Sequence, residues 1–419
     1  MTWDIVGMGA VTCLADEPRA IHRALCRGES GVGPLRAFDS AGYRVKNAYE
    51  IDDRAVPGRD EPGRATRWLR AAVAAALADA GLGDGGPALA GPADGAGPAD
   101  AGLGEAGRTD ADPGGGAPHE GSRAGGIADI PVIVGTTLRE LRSAELWWRD
   151  GTELEPTDLH FARAMRDAFG TTRTHTVASA CAAALYALGM TTDLIALGMA
   201  ETVVVAGTDS LTESAFGGLD RVQSPAPQSI RPFDRDRRGM VMGEGAVAVV
   251  VRRTGTHHRP AHAQVRGVAM NCDAAHPTVP DPASVTAAVR EAHRRAAVRP
   301  EDVDLVVVHG SGTRHNDVVE SEVLGEVFGR SRPGPLVTSI KSGLGHTCGG
   351  SGLMSLVIAV LALRSGQLPP IAGLRDPIPE AANLRLVAGE PAFGSFATAQ
   401  INAIGLGGIN AVAVVGKAP

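Results

Sequence analysis

Apolar positions along the chain recur with two periods. Short β-branched runs predict strands at Asp4–Gly9, Ile130–Val134, Thr202–Ala206, Ala246–Arg252, Val265–Ala269, Leu305–His309, Leu336–Ser339, Gln400–Ile404 and Ala411–Val415. Longer amphipathic or apolar stretches predict helices at Pro18–Arg27, Arg64–Ala80, Leu159–Phe169, Ala182–Ala200, Ala283–Ala297, Asn316–Phe328 and Ser351–Ser365. Strands alternating with helices point to a layered α/β architecture. The runs at Thr202 and Leu305 are almost wholly apolar, which predicts parallel strands covered on both faces. Two similar-sized α/β halves, residues 1–253 and 254–419, fit this alternation.

The pattern lapses once. From Asp84 to about Gly126 the sequence is Gly, Ala, Pro and Asp with almost no large apolar side chain. Such a segment cannot bury enough surface to offset its ordering entropy, so it reads as a flexible insertion.

Composition narrows the function classes. The 419 residues are 44% hydrophobic and carry a net charge of −7, which argues against broad binding to nucleic acid or an anionic membrane. The longest apolar helical run, Leu353–Leu363, is too short to span a bilayer. The opening MTWDIVGMGA carries Asp4 where a signal peptide needs positive charge, and it reads as a strand. The cysteines at 13, 26, 181, 272 and 348 form no disulfide framework and no metal-ligand spacing. A reducing cytoplasm fits, with no metal.

One cysteine stands out. Cys181 occupies the first turn of an apolar helix, SACAAALYALGMTTDLIALGMA. Unpaired N–H groups and the positive helix end lower a thiol pKa there and expose a nucleophile. A buried inert cysteine is the bland alternative. Two histidines shift the balance: His309 ends the apolar run LVVVH before a glycine-bearing turn, and His346 lies in KSGLGHTCGGSG ahead of a buried helix. A helix-start cysteine and two histidines in glycine-lined turns form a candidate nucleophile and acid–base set.

This set resembles the β-ketoacyl synthases, the condensing enzymes of the thiolase superfamily. The resemblance is carried by VASACAAAL around Cys181, SIRPFDRDRRGMVMGEGAVAVVV (229–251), HGSGTRHNDVVESE (309–322), TSIKSGLGHTCGGSG (338–352) and INAIGLGGINAVAVV (401–415). It implies a thiolase-like fold, two α/β halves in α-β-α-β-α layers, with no cofactor. Cys181 would take an acyl group as a thioester. His309 and His346 would favour decarboxylation of a malonyl-type extender, and the carbanion would attack the acyl-Cys. The backbone N–H groups of Cys181 and Leu406 would form the oxyanion hole. Lys341 would order the histidine site with Glu320 in its network, while Thr313 and Asn410 would line the extender side. The RPFD and GEG segments read as structural loops beside the site.

The pattern departs from the family at four places. The stretch from Gly135 to Cys181 is short. Ile404 and Leu406 stand where Phe is common, the latter at a gatekeeper position of the acyl pocket. Ser355 replaces a Glu, so Lys341 is expected to lean on Glu320. HGSGT replaces HGTGT. With no fused carrier or acyltransferase motif, the resemblance implies a stand-alone type II polyketide or specialised fatty-acid enzyme. Its partners would be an acyl carrier protein and either a second copy or a chain-length-factor-like subunit. The alternatives are an acyltransferase that moves the Cys181 acyl group to a non-carbon nucleophile, and a cavity-shaping heterodimer partner. Arg64, Arg67 and Arg70 fall on one face of a predicted surface helix, a candidate carrier-docking patch.

Overall fold

The computed structural model describes residues 2–56, 59–83, 127–329 and 333–418, so the segment 84–126 lies outside the described residues. Eleven strands form one mixed sheet: β1 (Trp3–Thr12), β2 (Val132–Thr136), β3 (Thr174–Ala178), β4 (Thr202–Asp209), β5 (Gly245–Arg253), β6 (Ala263–Cys272), β7 (Leu305–Val307), β8 (Leu336–Thr338), β9 (Arg385–Leu386), β10 (Thr398–Gly405) and β11 (Ile409–Gly416). Their spatial order is β9-β8-β7-β10-β11-β6-β1-β5-β4-β2-β3. Leaving aside the two-residue edge strand β9, the strands from β8 inward come third, second, fourth, fifth and first of their half in chain order. From β3 inward, the other half repeats that order. The two series meet where β1 pairs antiparallel with β6, Trp3 opposite Val265 and Ile5 opposite Ala263.

Both faces of each series are covered, and the strands' period of two sorts side chains between separate cores. In β4, Val203 and Val205 face a central core with Leu185 and Ile358, whereas Val204 and Ala206 face an outer core with Trp68 and Leu69. In β7, Leu305 and Val307 face the central core, and Val306 meets Val289 and Phe328 on the other side. Helix α1 (Arg64–Asp79) covers one outer face, α3 (Pro282–Ala296) and α4 (Arg314–Phe328) cover the other, and α2 (Ala183–Ala196) and α5 (Ser351–Ser365) fill the middle. Each fully buried valine or leucine contributes roughly 1.5–3 kcal/mol, which favours apolar side chains on both faces of the inner strands. Close approach also needs glycine: a Cβ on Gly7 or Gly9 would lie 2.1 Å from the Ala76 or Ala72 carbonyl oxygen of α1.

Three expectations change. The apolar helical stretch is longer than expected: Cys348–Ser365 has the length and apolarity to cross a bilayer, with mean hydropathy 1.6, but 89% of it is buried inside the protein as a central helix. Strand β4 is parallel to β2 but antiparallel to β5, while β7 has parallel neighbours on both sides. Helix α2 ends at Ala196 rather than Ala200, where Gly198 turns with a φ of 72°. Sequence reading also missed β3 and the helices Leu141–Asp150 and Glu213–Val222. Strand β3 lies at the sheet edge with only β2 beside it, so THTVA has no continuous apolar run. Helix Leu141–Asp150 buries Arg142 and Ser143 and exposes Trp148, the inverse of an amphipathic stripe.

Candidate active site

Equivalent turns of the two halves build the site. Cys181 follows β3 through Ala180, which holds a φ of 44°, and enters α2 by a single turn. His346 follows β8 and precedes α5, and His309 follows β7. The fold brings the three together: His346 Nε2 lies 3.0 Å from Cys181 Sγ, and the His309 and His346 rings meet edge-on with centroids 5.5 Å apart. All three are buried. The backbone N–H groups of Leu406 and Cys181 lie near the sulfur, where they favour an anion. The His309 ring has no hydrogen-bond partner among the described residues.

Lys341 makes no direct hydrogen bond or ion pair with Glu320, although the Glu320 charge is the main one that supports its ammonium. Its Nζ donates to the His309 carbonyl at 2.6 Å, while Glu320 accepts from the His309 and Gly310 backbone N–H groups at 2.9 and 2.6 Å. The two side chains therefore grip the same stretch of backbone from opposite sides. Asn316 and Asn402 also donate to Glu320. Thr313 caps α4, and its hydroxyl sits 2.9 Å from Ser311 Oγ on the cavity wall. Asn410 stands away from the cavity: it donates to Asn271 Oδ1 and the Gly408 carbonyl, each at 3.1 Å, because its register in β11 places it opposite Asn271 of β6.

A cavity of about 340 Å³ opens over Cys181 and His309, with Ser311, Thr313, Ile404 and Leu406 on its walls and Arg238 and Arg314 also lining it. Ile404 is buried, whereas Leu406 is 45% exposed. Asp209, which sequence reading missed, accepts from Thr136 Oγ1 at 2.7 Å, from Leu138 N at 2.6 Å and from Gly349 N at 2.7 Å. It thereby ties the end of β2 to the glycine turn after His346. A carboxylate closing the apolar run TVVVAGTD was its available signal.

Burial sets the protonation states. It pushes the Cys181 thiol up against the opposing pull of the Lys341 charge, so the helix start does not deliver the lowered thiol pKa expected from sequence. His309 and His346 are held well below the usual histidine range, first by burial and then by Lys341. Lys341 itself is pushed down to about 8 by burial. Both directions favour a thiol beside a neutral imidazole. Alkylation of Cys181 by iodoacetamide is expected to rise about tenfold per pH unit through neutrality, because the thiolate is the minor form there. An acid-side plateau in the measured rate would reveal a thiolate–imidazolium pair instead.

The candidate docking arginines separate. Arg64 is 1% exposed and bound to Asp53, Asp60 and Glu244, so it cannot meet a partner. Buried carboxylates on both sides of its helix draw the guanidinium inward. Arg67 pairs with Asp53 and Glu61, and Arg70 alone is exposed without an ion pair among the described residues.

Comparison with known proteins places this geometry. The family described as Beta-ketoacyl synthase, N-terminal domain, matches residues 170–257, and its C-terminal domain matches residues 262–375. Nodulation protein E of Rhizobium meliloti is 32% identical over 242 residues, 56% of this chain and 60% of that protein. The 3-oxoacyl-[acyl-carrier-protein] synthase 2 of Mycobacterium tuberculosis is 34% identical over 258 residues, 58% of this chain and 60% of that protein. The chain thus spans about three fifths of the length of the curated relatives it matches. The ishigamide ketosynthase/chain length factor structure superposes with a TM-score of 0.82 at 26% identity, over 99% of each chain. A type II PKS acyl-carrier protein in complex with its ketosynthase shares the fold, with a TM-score of 0.79 at 18% identity over 99% of each chain. The architecture is the thiolase-like ketosynthase fold. From the matched segments, which contain Cys181, His309, Lys341 and His346, and from the full-length structural likeness, the chain belongs to the β-ketoacyl synthase family.

Proposed function

We propose that this chain is a β-ketoacyl synthase acting by decarboxylative condensation, an acyltransferase of the 3-oxoacyl-[acyl-carrier-protein] synthase type. The observation that carries the reading is the Cys181–His346 contact at 3.0 Å, with a second unpartnered imidazole, His309, packed against it.

In the first half-reaction, His346 Nε2 takes the thiol proton as Cys181 Sγ attacks an acyl thioester. The new sulfur–acyl bond forms, the old one breaks, and the departing thiolate receives the proton. The Cys181 and Leu406 N–H groups hold the oxyanion, each preorganised donor worth about 3–4 kcal/mol. In the second, a malonyl-type thioester loses CO2. The electron pair of the broken carbon–carbon bond becomes an enolate, and neutral His309 and His346, the latter in its Nε2–H tautomer, donate to its oxygen. The enolate carbon then attacks the Cys181 thioester, a carbon–carbon bond forms, and the cysteine sulfur leaves as thiolate and takes up one proton from solvent. Neutral imidazoles suit this step, since they offer donors to a transient anion without a resting counter-charge. Lys341 and Glu320 act as positioning residues, through the His309 backbone.

In this reading residues 1–253 form the nucleophile half and 254–419 the histidine half. The substrate-bearing partner is an acyl carrier protein in a type II polyketide or specialised fatty-acid system. The protein works in the cytoplasm as a homodimer or beside a chain-length-factor-like subunit, and it needs no cofactor.

Intact-mass spectrometry with acyl-carrier and malonyl-carrier substrates tests this. The expected sequence is acylation at Cys181, CO2 loss, and a carrier-bound product longer by a two-carbon unit. Acylation with the malonyl-carrier left intact would contradict condensation.

A further inference from the structure

Two amides and an imidazole interrupt an outer core that is otherwise apolar. Gln400 and Asn402 are alternate residues of β10 and share its outer face with Ile404. Val414 and Val412 of β11 stand opposite them, and His293 of α3 packs on Phe328 with ring centroids 5.7 Å apart. All three polar side chains are buried. Apolar side chains would fill the same space without any polar group to satisfy, so these three call for a reason. Their contacts form one line. His293 Nε2 lies 2.7 Å from Gln400 Oε1, Gln400 Nε2 donates to Asn402 Oδ1 at 2.8 Å, and Asn402 Nδ2 donates to Glu320 Oε1 at 3.2 Å. The Glu320 carboxylate fixes the direction. One oxygen accepts from the N–H groups of His309 and Asn402, the other from those of Gly310 and Asn316. Four donors occupy its four lone-pair sites, so Asn402 must turn its amide nitrogen towards Glu320. The Asn402 oxygen then faces Gln400, whose own oxygen faces His293. Burial holds the His293 imidazole below the usual histidine range, so it is a neutral ring whose proton sits on Nε2.

We propose that His293 and Gln400 are positioning residues for His309, acting along a one-way hydrogen-bond line through Asn402 and Glu320. The line starts on α3, runs along β10 and ends on the backbone that carries the His309 ring. Lys341 holds that backbone from the other side, through the His309 carbonyl. A shift of Glu320 therefore moves the ring that faces the enolate. The role in CO2 loss rests on the condensing reading, whereas the coupling of His293 to His309 does not.

Nuclear magnetic resonance of the protein with 15N-labelled histidine reads the line without catalysis. His293 is expected as the Nε2–H tautomer at pH 7. His293→Phe removes the donor but keeps a ring beside Phe328, and it is expected to shift the His309 ring signals. His293→Gln, whose amide nitrogen stands in for Nε2–H, should return them towards their original positions. Kinetics reads the consequence. His293→Phe should load Cys181 at the normal rate but release CO2 from a malonyl thioester about fivefold more slowly, the weight of one typical hydrogen bond, and His293→Gln should recover most of that loss. An Nδ1–H tautomer at His293 in the unaltered protein overturns the proposal, as do His309 signals unmoved in His293→Phe. Unchanged CO2 release in that variant also overturns it, and so does an equal loss of loading and CO2 release, which marks general damage. If the unaltered protein releases no CO2 while the tautomer and the shifts are as expected, the condensing reading fails and the coupling of His293 to His309 is supported.

Discussion

Cys181→Ala is expected to abolish covalent acyl loading, with no adduct on the intact protein after incubation with an acyl thioester. No other cysteine has its setting. Burial pushes the Cys13 thiol to about 12 and the Cys26 thiol to about 11, and it raises Cys348 well above the ordinary value. Cys272 is exposed, with its sulfur 3.6 Å from the Gly407 carbonyl. Only Cys181 combines a base nitrogen at 3.0 Å with nearby backbone N–H donors and a place on the cavity wall. His346→Ala should keep the nucleophile but slow loading by about 10²–10⁴, the usual contribution of a positioned base. An adduct of normal yield on the Cys181→Ala protein would transfer the nucleophile to another residue.

Arg64→Ala is expected to cost about 3–5 kcal/mol of stability near neutral pH, the usual penalty for removing one partner from a buried ion pair. Arg64 donates to Asp60 at 2.9 Å and to Glu244 at 2.9 and 3.1 Å, and both carboxylates are shut away from water. Arg54 and Arg142 also bind Asp60, so some charge balance survives. Burial already raises Glu244, and loss of its main counter-charge raises it further. A carboxyl whose folded pKa lies above its unfolded value contributes stability that is present at low pH and lost as pH rises through the folded pKa. The deficit of the variant, read from urea midpoints, should therefore be larger at alkaline than at mildly acidic pH. The damage should also reach catalysis, because the loop next to Glu244 holds His346: Gly243 N donates to the His346 carbonyl, and His346 N donates to Val241, both at 3.0 Å. A deficit below about 1 kcal/mol, within the range of ordinary surface substitutions, would mean that Arg54 and Arg142 suffice.

Arg64 also marks the limit of sequence reading. Three arginines spaced along a helix predict a solvated face, but helical spacing carries no information on carboxylates brought in from loops at 53–60 and 244. The central elements were legible because they are buried on every side: α5 begins and ends at Ser351 and Ser365 as its apolar run predicts. Edge strand β3 was hidden for the opposite reason, since one open side removes the apolar continuity. At the site, the motifs singled out Cys181, His309 and His346, and the fold sets them side by side. The partner of Lys341 was not legible, because a hydrogen bond to a main-chain carbonyl leaves no trace in side-chain identity. The thiol was misjudged because the helix end was weighed without the burial that accompanies it.

The repeated strand order has an electrostatic outcome. In each half the third strand leads into a central helix, α2 after β3 and α5 after β8, and Cys181 and His346 sit just ahead of those helices within contact of one another. Two helix dipoles thus converge on one small volume, each able to stabilise a nearby negative charge by about 0.3–1 kcal/mol and up to about 2 where water is excluded. The resting thiol gains little, because desolvation outweighs that field. An oxyanion or enolate formed during turnover gains more, because its charge arises inside the field with hydrogen-bond donors already in place. The duplicated architecture therefore favours anions that last only for the crossing of a barrier over any anion stored beforehand.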